Sequence, residues 1–183
     1  MRCDRCGREA ILFQRYSGLR LCGEHLASSL EPRAKRTIRA RGWIRPGDRI
    51  AVGLSGGAGS SSLLHFLVTQ FGMRRDLSLL AVTVDEGNGM DTDRIRRMAE
   101  RAGVGWEAVP LSGEGPEVLG RDLMTVASRA GAMKLALGTS LNARARSVFL
   151  QVLKGEGAGL IRDPGQGDDG IRRIEPFDRI PDD

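Results

Sequence analysis

The sequence RIAVGLSGGAGSSSLLHFLVTQF, residues 49–71, decides how the rest of the chain is read. Its apolar run over residues 50–54 has the length and branched content of a short buried strand. A Ser-Gly-Gly turn follows, then a helix whose N-cap falls to Ser60, Ser61 or Ser62. Leu63, Leu64, Leu67, Val68 and Phe71 recur at helical spacing and make one apolar stripe. A glycine turn between a buried strand and a helix N-terminus suits an anion. Gly56, Gly57 and Gly59 let the backbone approach closely, the free N–H groups point outward, and the helix dipole favours negative charge. The hydroxyls of Ser55, Ser60 and Ser61 add donors fit for phosphate. The loop lacks the Gly-Lys-Ser/Thr ending of a P-loop and the spacing of a dinucleotide fingerprint. A plain strand–helix turn without a ligand is the other reading.

Downstream the alternation continues. Residues 77–84 form an apolar strand ending in Asp85, Glu86 and Gly87, and residues 91–102 a helix with Ile95, Met98, Ala99 and Ala102 on one face. Residues 105–110 and 134–139 read as further strands, and residues 118–130 and 142–153 as helices, the last with Val148, Phe149, Val152 and Leu153 facing inward. Residues 155–170, rich in Gly and Asp, read as a mobile loop, and the tail has room for one short strand. Strand–helix alternation at this spacing predicts an α/β fold, a doubly wound parallel sheet with helices on both faces. Ligands in such sheets bind at the C-terminal strand ends, where the Ser-Gly-Gly loop, Asp85, Gly138 and Thr139 would meet. His65, mid-helix beside apolar residues, reads as structural.

All three cysteines lie in the first 22 residues, as Cys3, Cys6 and Cys22, followed by His25. The spacing C-x2-C-x15-C-x2-H predicts a zinc ribbon or knuckle over residues 1–26, with Tyr16, Ser17 and Gly18 in a hairpin. Three thiolates and one imidazole close a tetrahedral zinc, so the site would be structural. A basic linker helix over residues 27–47 then leads into an α/β domain over residues 48–183. Arg33, Lys35, Arg36, Arg39 and Arg41 crowd this linker, whose helix is expected to be short and to end at Gly42. They form either a solvated helix or a face that contacts RNA phosphates.

The 183 residues carry a net charge of +5, which leans toward a polyanionic partner, and 4% aromatic content makes the core aliphatic. The N-terminus has no apolar stretch to act as a signal peptide, and the longest apolar segment is too short to span a bilayer. A cytoplasmic protein without a membrane partner is expected.

Taken together these segments resemble the tRNA 2-thiouridine synthetases of the archaeal, eukaryotic-cytosolic and thermophile type. That family belongs to the ATP-pyrophosphatase (PP-loop) superfamily, whose S-G-G-x-D-S loop is similar to the loop here. The likeness is carried by the Cys3, Cys6, Cys22, His25 knuckle, QRYSG (14–18), IRPGDRIAVGLSGG (44–57), TVDEG (83–87), KLALGTSLN (134–142) and RRIEPFDRIP (172–181). Such enzymes adenylate a uridine carbonyl and replace its oxygen with sulfur. The resemblance implies ATP or AMP at Leu54, Ser55, Gly56, Gly57, Ser60, Ser61, Thr83, Asp85 and Gly138, with tRNA as partner.

The chain departs from the family at its catalytic positions. Ala58 and Gly59 replace the lysine and aspartate of the loop, Asn142 and Ala143 replace a pair of aspartates, and no cysteine follows Cys22. A non-catalytic subunit without an iron–sulfur cluster is therefore expected, working with a full-length cysteine-bearing paralogue or as a homodimer. Two other readings stand beside it. One is an active ATP-dependent tRNA sulfurtransferase with an external sulfur source, the other a zinc-ribbon RNA-binding protein whose α/β domain is a scaffold.

Overall fold

The computed structural model describes residues 1–155 and 170–182. Strands β1 (Leu12–Gln14) and β2 (Leu19–Leu21) pair antiparallel across the expected hairpin, with Leu12 opposite Leu21 and Gln14 opposite Leu19. Helix α1 (Gly23–Ala40) follows at once. It is longer than the short basic helix expected and starts earlier, because Cys22 in extended conformation is its N-cap. Ala34, Thr37 and Ile38 on α1 are buried, so this helix packs on the core rather than merely linking to it.

The remaining elements are β3 (Arg49–Gly53), α2 (Ala58–Phe71), β4 (Ser78–Asp85), α3 (Thr92–Arg101), β5 (Gly105–Pro110), α4 (Pro116–Arg129), β6 (Lys134–Ala136), α5 (Leu141–Leu153) and β7 (Arg172–Ile174). The five longer-range strands form one parallel sheet in the order β5-β4-β3-β6-β7. β3 lies at its centre because Ile50, Ala51 and Val52 are apolar on both pleat faces and all three are buried. On one face α1, α2 and α3 press Ile38, Leu63, Phe66, Leu67 and Ile95 against Ile50, Val52 and Ala81. The other face is covered by α4, with Val126 and Ala127 against Ala51, Val82 and Leu135. The expected doubly wound α/β architecture is the one observed. Parallel strands joined by helices on both faces leave the crevice at the point where strand order reverses, between β3 and β6.

Two expectations are corrected. Helix α5 exposes Leu141, Val148, Phe149, Leu150, Val152 and Leu153, so the residues expected to face inward face outward. Both sheet faces are already taken by the other helices, and among the described residues nothing covers this stripe. His65 is exposed beside the buried Leu64 and Phe66, not a core residue. The segment 155–170, expected to be a loop, lies outside the described residues except at its two ends.

At the sheet's other end, Lys134 and Asp48 form an ion pair with side chains only 9% and 6% exposed. Asp48 also accepts the backbone N–H of Arg45, tying the turn before β3 to the start of β6.

Candidate functional site

The crevice is built on the turn between β3 and α2. Gly56 has φ +75°, a left-handed conformation costly for other residues, and a Cβ there would lie 3.1 Å from Ile95. Gly57, extended, is the N-cap of α2. Helix α2 therefore begins two residues before the serines, which correct their expected role. Ser60 and Ser61 sit in the first turn with their hydroxyls donating back to the Gly57 carbonyl, at 3.1 and 2.8 Å. Ser60 Oγ also accepts the N–H of Ser55 at 3.2 Å. The hydroxyls brace the loop, and the N–H groups of Ala58, Gly59 and Ser60 have no intrahelical acceptor. An anion at this end of the helix would meet backbone donors and the positive pole of the dipole.

The cavity above the loop holds about 360 Å³. Of the residues expected at a nucleotide, Leu54, Ser55, Gly57, Ser60 and Gly138 line it. Gly56, Ser61, Thr83 and Asp85 do not. Thr83 is buried in the sheet, where its hydroxyl donates to the Leu54 carbonyl at 2.8 Å and accepts Trp106 Nε1–H at 3.0 Å. Asp85 accepts the N–H of Gly87 at 3.0 Å and so shapes the turn after β4. The lining that sequence reading missed is mostly apolar: Val84, Met90, Leu119, Leu123 and Leu137, with Glu86 as its acidic member. Val84 and Leu137 extend strands already identified, whereas Leu119 and Leu123 arrive from α4 and carry no local signal.

Across the crevice the two loops touch backbone to backbone. A Cβ on Gly59 would lie 2.5 Å from the Gly138 carbonyl oxygen, and one on Gly138 would lie 2.4 Å from the Gly59 carbonyl. Behind Gly138, the Thr139 hydroxyl donates to Glu175 at 3.0 Å. Glu175 and Asp178 are both buried and take Arg144, which bridges them at 3.2 Å to each, with Arg173 on Glu175 and Arg41 on Asp178.

A second cluster lies at the N-terminus. The ligand atoms of Cys3, Cys6, Cys22 and His25 all fall within 4.8 Å of one another. Cys6 and Cys22 Sγ are 3.8 Å apart, and His25 Nδ1 is 3.5 Å from Cys3 Sγ and 3.3 Å from Cys22 Sγ. Sulfurs bound at ~2.3 Å to a tetrahedral zinc stand roughly 3.8 Å apart, so the donor set fits one such ion. Burial opposes ionisation of Cys3, but backbone N–H groups around it prevail and lower its thiol to about 6. At Cys22 a backbone hydrogen bond at His25 favours the thiolate, yet burial and the neighbouring Cys6 and Cys3 raise the thiol. Holding all three cysteines as thiolates in such contact would call for a cation.

The basic residues of α1 divide into groups. Arg33 stacks on Tyr16 at 4.5 Å, and Arg41 stacks on Trp43 at 5.0 Å and pairs with Asp178 at 3.3 Å. Lys35 and Arg39 turn toward a shallow cavity, and Arg36 is exposed.

Such a sheet, with a glycine loop at its switch point and a four-ligand knuckle ahead of it, defines an α/β domain with a candidate metal module. Comparison with known proteins narrows the class. Residues 2–27 match the family model described as 2-thiouridine synthetase TtuA, N-terminal LIM domain. The tRNA 2-thiolation protein NcsA of Haloferax volcanii is 31% identical over 188 residues, covering 85% of this chain and 58% of the relative. The tRNA-5-methyluridine(54) 2-sulfurtransferase of Thermus thermophilus is 30% identical, covering 55% of this chain and 40% of the relative. In fold, the chain superposes over its full length on 69% of the U34-tRNA thiolase NcsA from Methanococcus maripaludis, with a TM-score of 0.79 and 23% identity. These matches support the tRNA thiolase family for this chain. It spans 58% and 40% of the length of those two curated relatives.

One expectation fails against these relatives. The Methanococcus maripaludis structure holds a [4Fe-4S] cluster, which overturns the expectation that iron–sulfur chemistry is foreign to this protein. That expectation rested on the lack of any cysteine after Cys22 in this chain. Among the described residues no helix is long and apolar enough to cross a membrane.

Proposed function

We propose that this chain is a non-catalytic or partner member of the tRNA thiolation machinery, holding zinc in its knuckle and a nucleotide or phosphate in its crevice. The relatives, which include the Bos taurus "Cytoplasmic tRNA 2-thiolation protein 1", support tRNA as its partner and a cytoplasmic setting. The observation that carries the reading is the contact between Gly59 and Gly138. At the position where the resembled loop places an aspartate, backbone fills the space a side chain would need. What remains for an anion is the N-terminus of α2, which binds ground state and product alike, and uniform binding does not accelerate chemistry. Charge developing during adenylation needs a lysine or a carboxylate-bound magnesium, and Ala58, Asn142 and Ala143 supply neither.

The tests are nucleotide titration by calorimetry and release of pyrophosphate with tRNA present. ATP or AMP is expected to bind without turnover, and Gly57→Asp to abolish binding by placing a repelling charge at the helix end. Sustained tRNA-dependent pyrophosphate release would overturn the reading in favour of an active sulfurtransferase with an external sulfur source. No nucleotide binding at all would leave a zinc-ribbon RNA-binding protein on an α/β scaffold. Co-purification from the native cell tests for a full-length cysteine-bearing paralogue or a second copy of this chain.

A further inference from the structure

At the amino end of the sheet, opposite the crevice, a cavity of about 440 Å³ opens between α1 and the end of α2. Its apolar floor is Ile38, Ile44 and Phe71, and its walls carry Lys35, Arg39 and Arg74, with Gln70 between them. Arg45 reaches the rim, its guanidinium 3.8 Å from where a Cβ on Gly42 would lie. Of the three cations in the walls only Arg74 is neutralised, by Asp76, to which it donates at 3.0 and 2.5 Å. Lys35 and Arg39 have no acidic partner among the described residues. They lie four residues apart on one helix, where like charges repel. Gln70 donates its side-chain N–H to Glu31 at 2.9 Å.

We infer that this notch is an anchoring site for the phosphate backbone of a folded RNA, set apart from the crevice by the length of α2. The inference rests on the reading of the chain as a tRNA-binding protein and adds the place and the manner. The fourteen residues of α2 at ~1.5 Å each put the notch about 20 Å from the anion loop. A mononucleotide in the crevice cannot reach it, whereas a folded RNA can touch both. Lysine and arginine on an open wall meet phosphates and read no base edges, so the notch fixes where the RNA lies and not which sequence it has. Arg33 on the same helix and Arg41 at its C-cap are spent on aromatic and acidic neighbours and are not part of it.

The experiment titrates bulk tRNA into the full chain by fluorescence anisotropy from about 50 to about 200 mM KCl. Lys35→Ala with Arg39→Ala is expected to weaken binding roughly tenfold and to flatten the salt slope by about 1.5 log units per decade, two phosphate contacts' worth. ATP titration into the same variant should be unchanged, since the crevice is remote. Arg39 also sits in the last turn of α1, where a cation suits the helix dipole, so urea unfolding is measured beside binding. The charge-reversed Arg39→Glu should weaken tRNA binding further. Arg129→Ala, on α4 across the sheet, should leave binding and slope as they are. Wild-type tRNA binding with an unaltered slope in the notch variants would overturn the notch while leaving the RNA reading intact. No tRNA binding by the wild-type chain would overturn both.

Discussion

At the scale of single residues, the decisive pair is Gly59 and Gly138. Restoring aspartate at position 59 forces a side chain into the carbonyl of the facing loop. Gly59→Asp is expected to cost about 1–3 kcal/mol in urea unfolding, as overpacking does, and to leave turnover absent. Gly57→Ala, whose Cβ would meet Ser55 Oγ at an ordinary 3.5 Å, should be nearly neutral. Equal stability of the two variants would mean that the crevice opens freely. The Gly59–Gly138 contact is not visible in local spacing, because 79 positions separate the two residues. The same is true of Lys134 and Asp48, which lie 86 positions apart in the chain. Their burial together makes a second test. Lys134→Met leaves a buried carboxylate unpaired and is expected to cost about 3–5 kcal/mol, while the double variant with Asp48→Leu recovers most of the loss. A single variant within about 1 kcal/mol of wild type would show the pair to be solvated.

Among the elements, α1 joins what the sequence suggested were separate parts. Its N-cap is the metal-site residue Cys22, His25 rides on its first turn, and its far end reaches the basic notch. Structural zinc in small modules is worth on the order of 10–16 kcal/mol. Chelation should therefore loosen residues 1–26 and the first turn of α1 while the sheet, with its own aliphatic core, stays folded. Metal analysis should return one zinc per chain. Amide exchange should speed up in β1, β2 and the start of α1 and not in β3 or β4. Iron with sulfide in place of zinc, or equal loosening of the sheet, would sink this account. The knuckle was readable because its ligands are close in sequence and their chemistry is narrow. The strands were readable because β3 and β4 are apolar runs of the right length. The outward stripe on α5 was not, since helical periodicity shows that a face is apolar without showing whether anything covers it. Thr83 failed differently: its place at a strand end was foreseen, but its hydroxyl is consumed by Leu54 and Trp106.

The whole molecule depends on strand order. β3 lies between β4, its successor, and β6, which pairs Lys134 with Ile50. One edge of the central strand is thus satisfied early and the other only after some eighty further residues. On a ribosome adding ~5–20 residues per second, that edge stays open for roughly 4–17 s. Through that interval the nascent chain presents an unpaired parallel edge, the kind of surface on which strangers add strands. The glycine loop is unfinished for the same interval, since Gly138 arrives two residues after β6 ends. No ligand for the loop can rescue the chain during synthesis, because the wall it would press against has not yet been made.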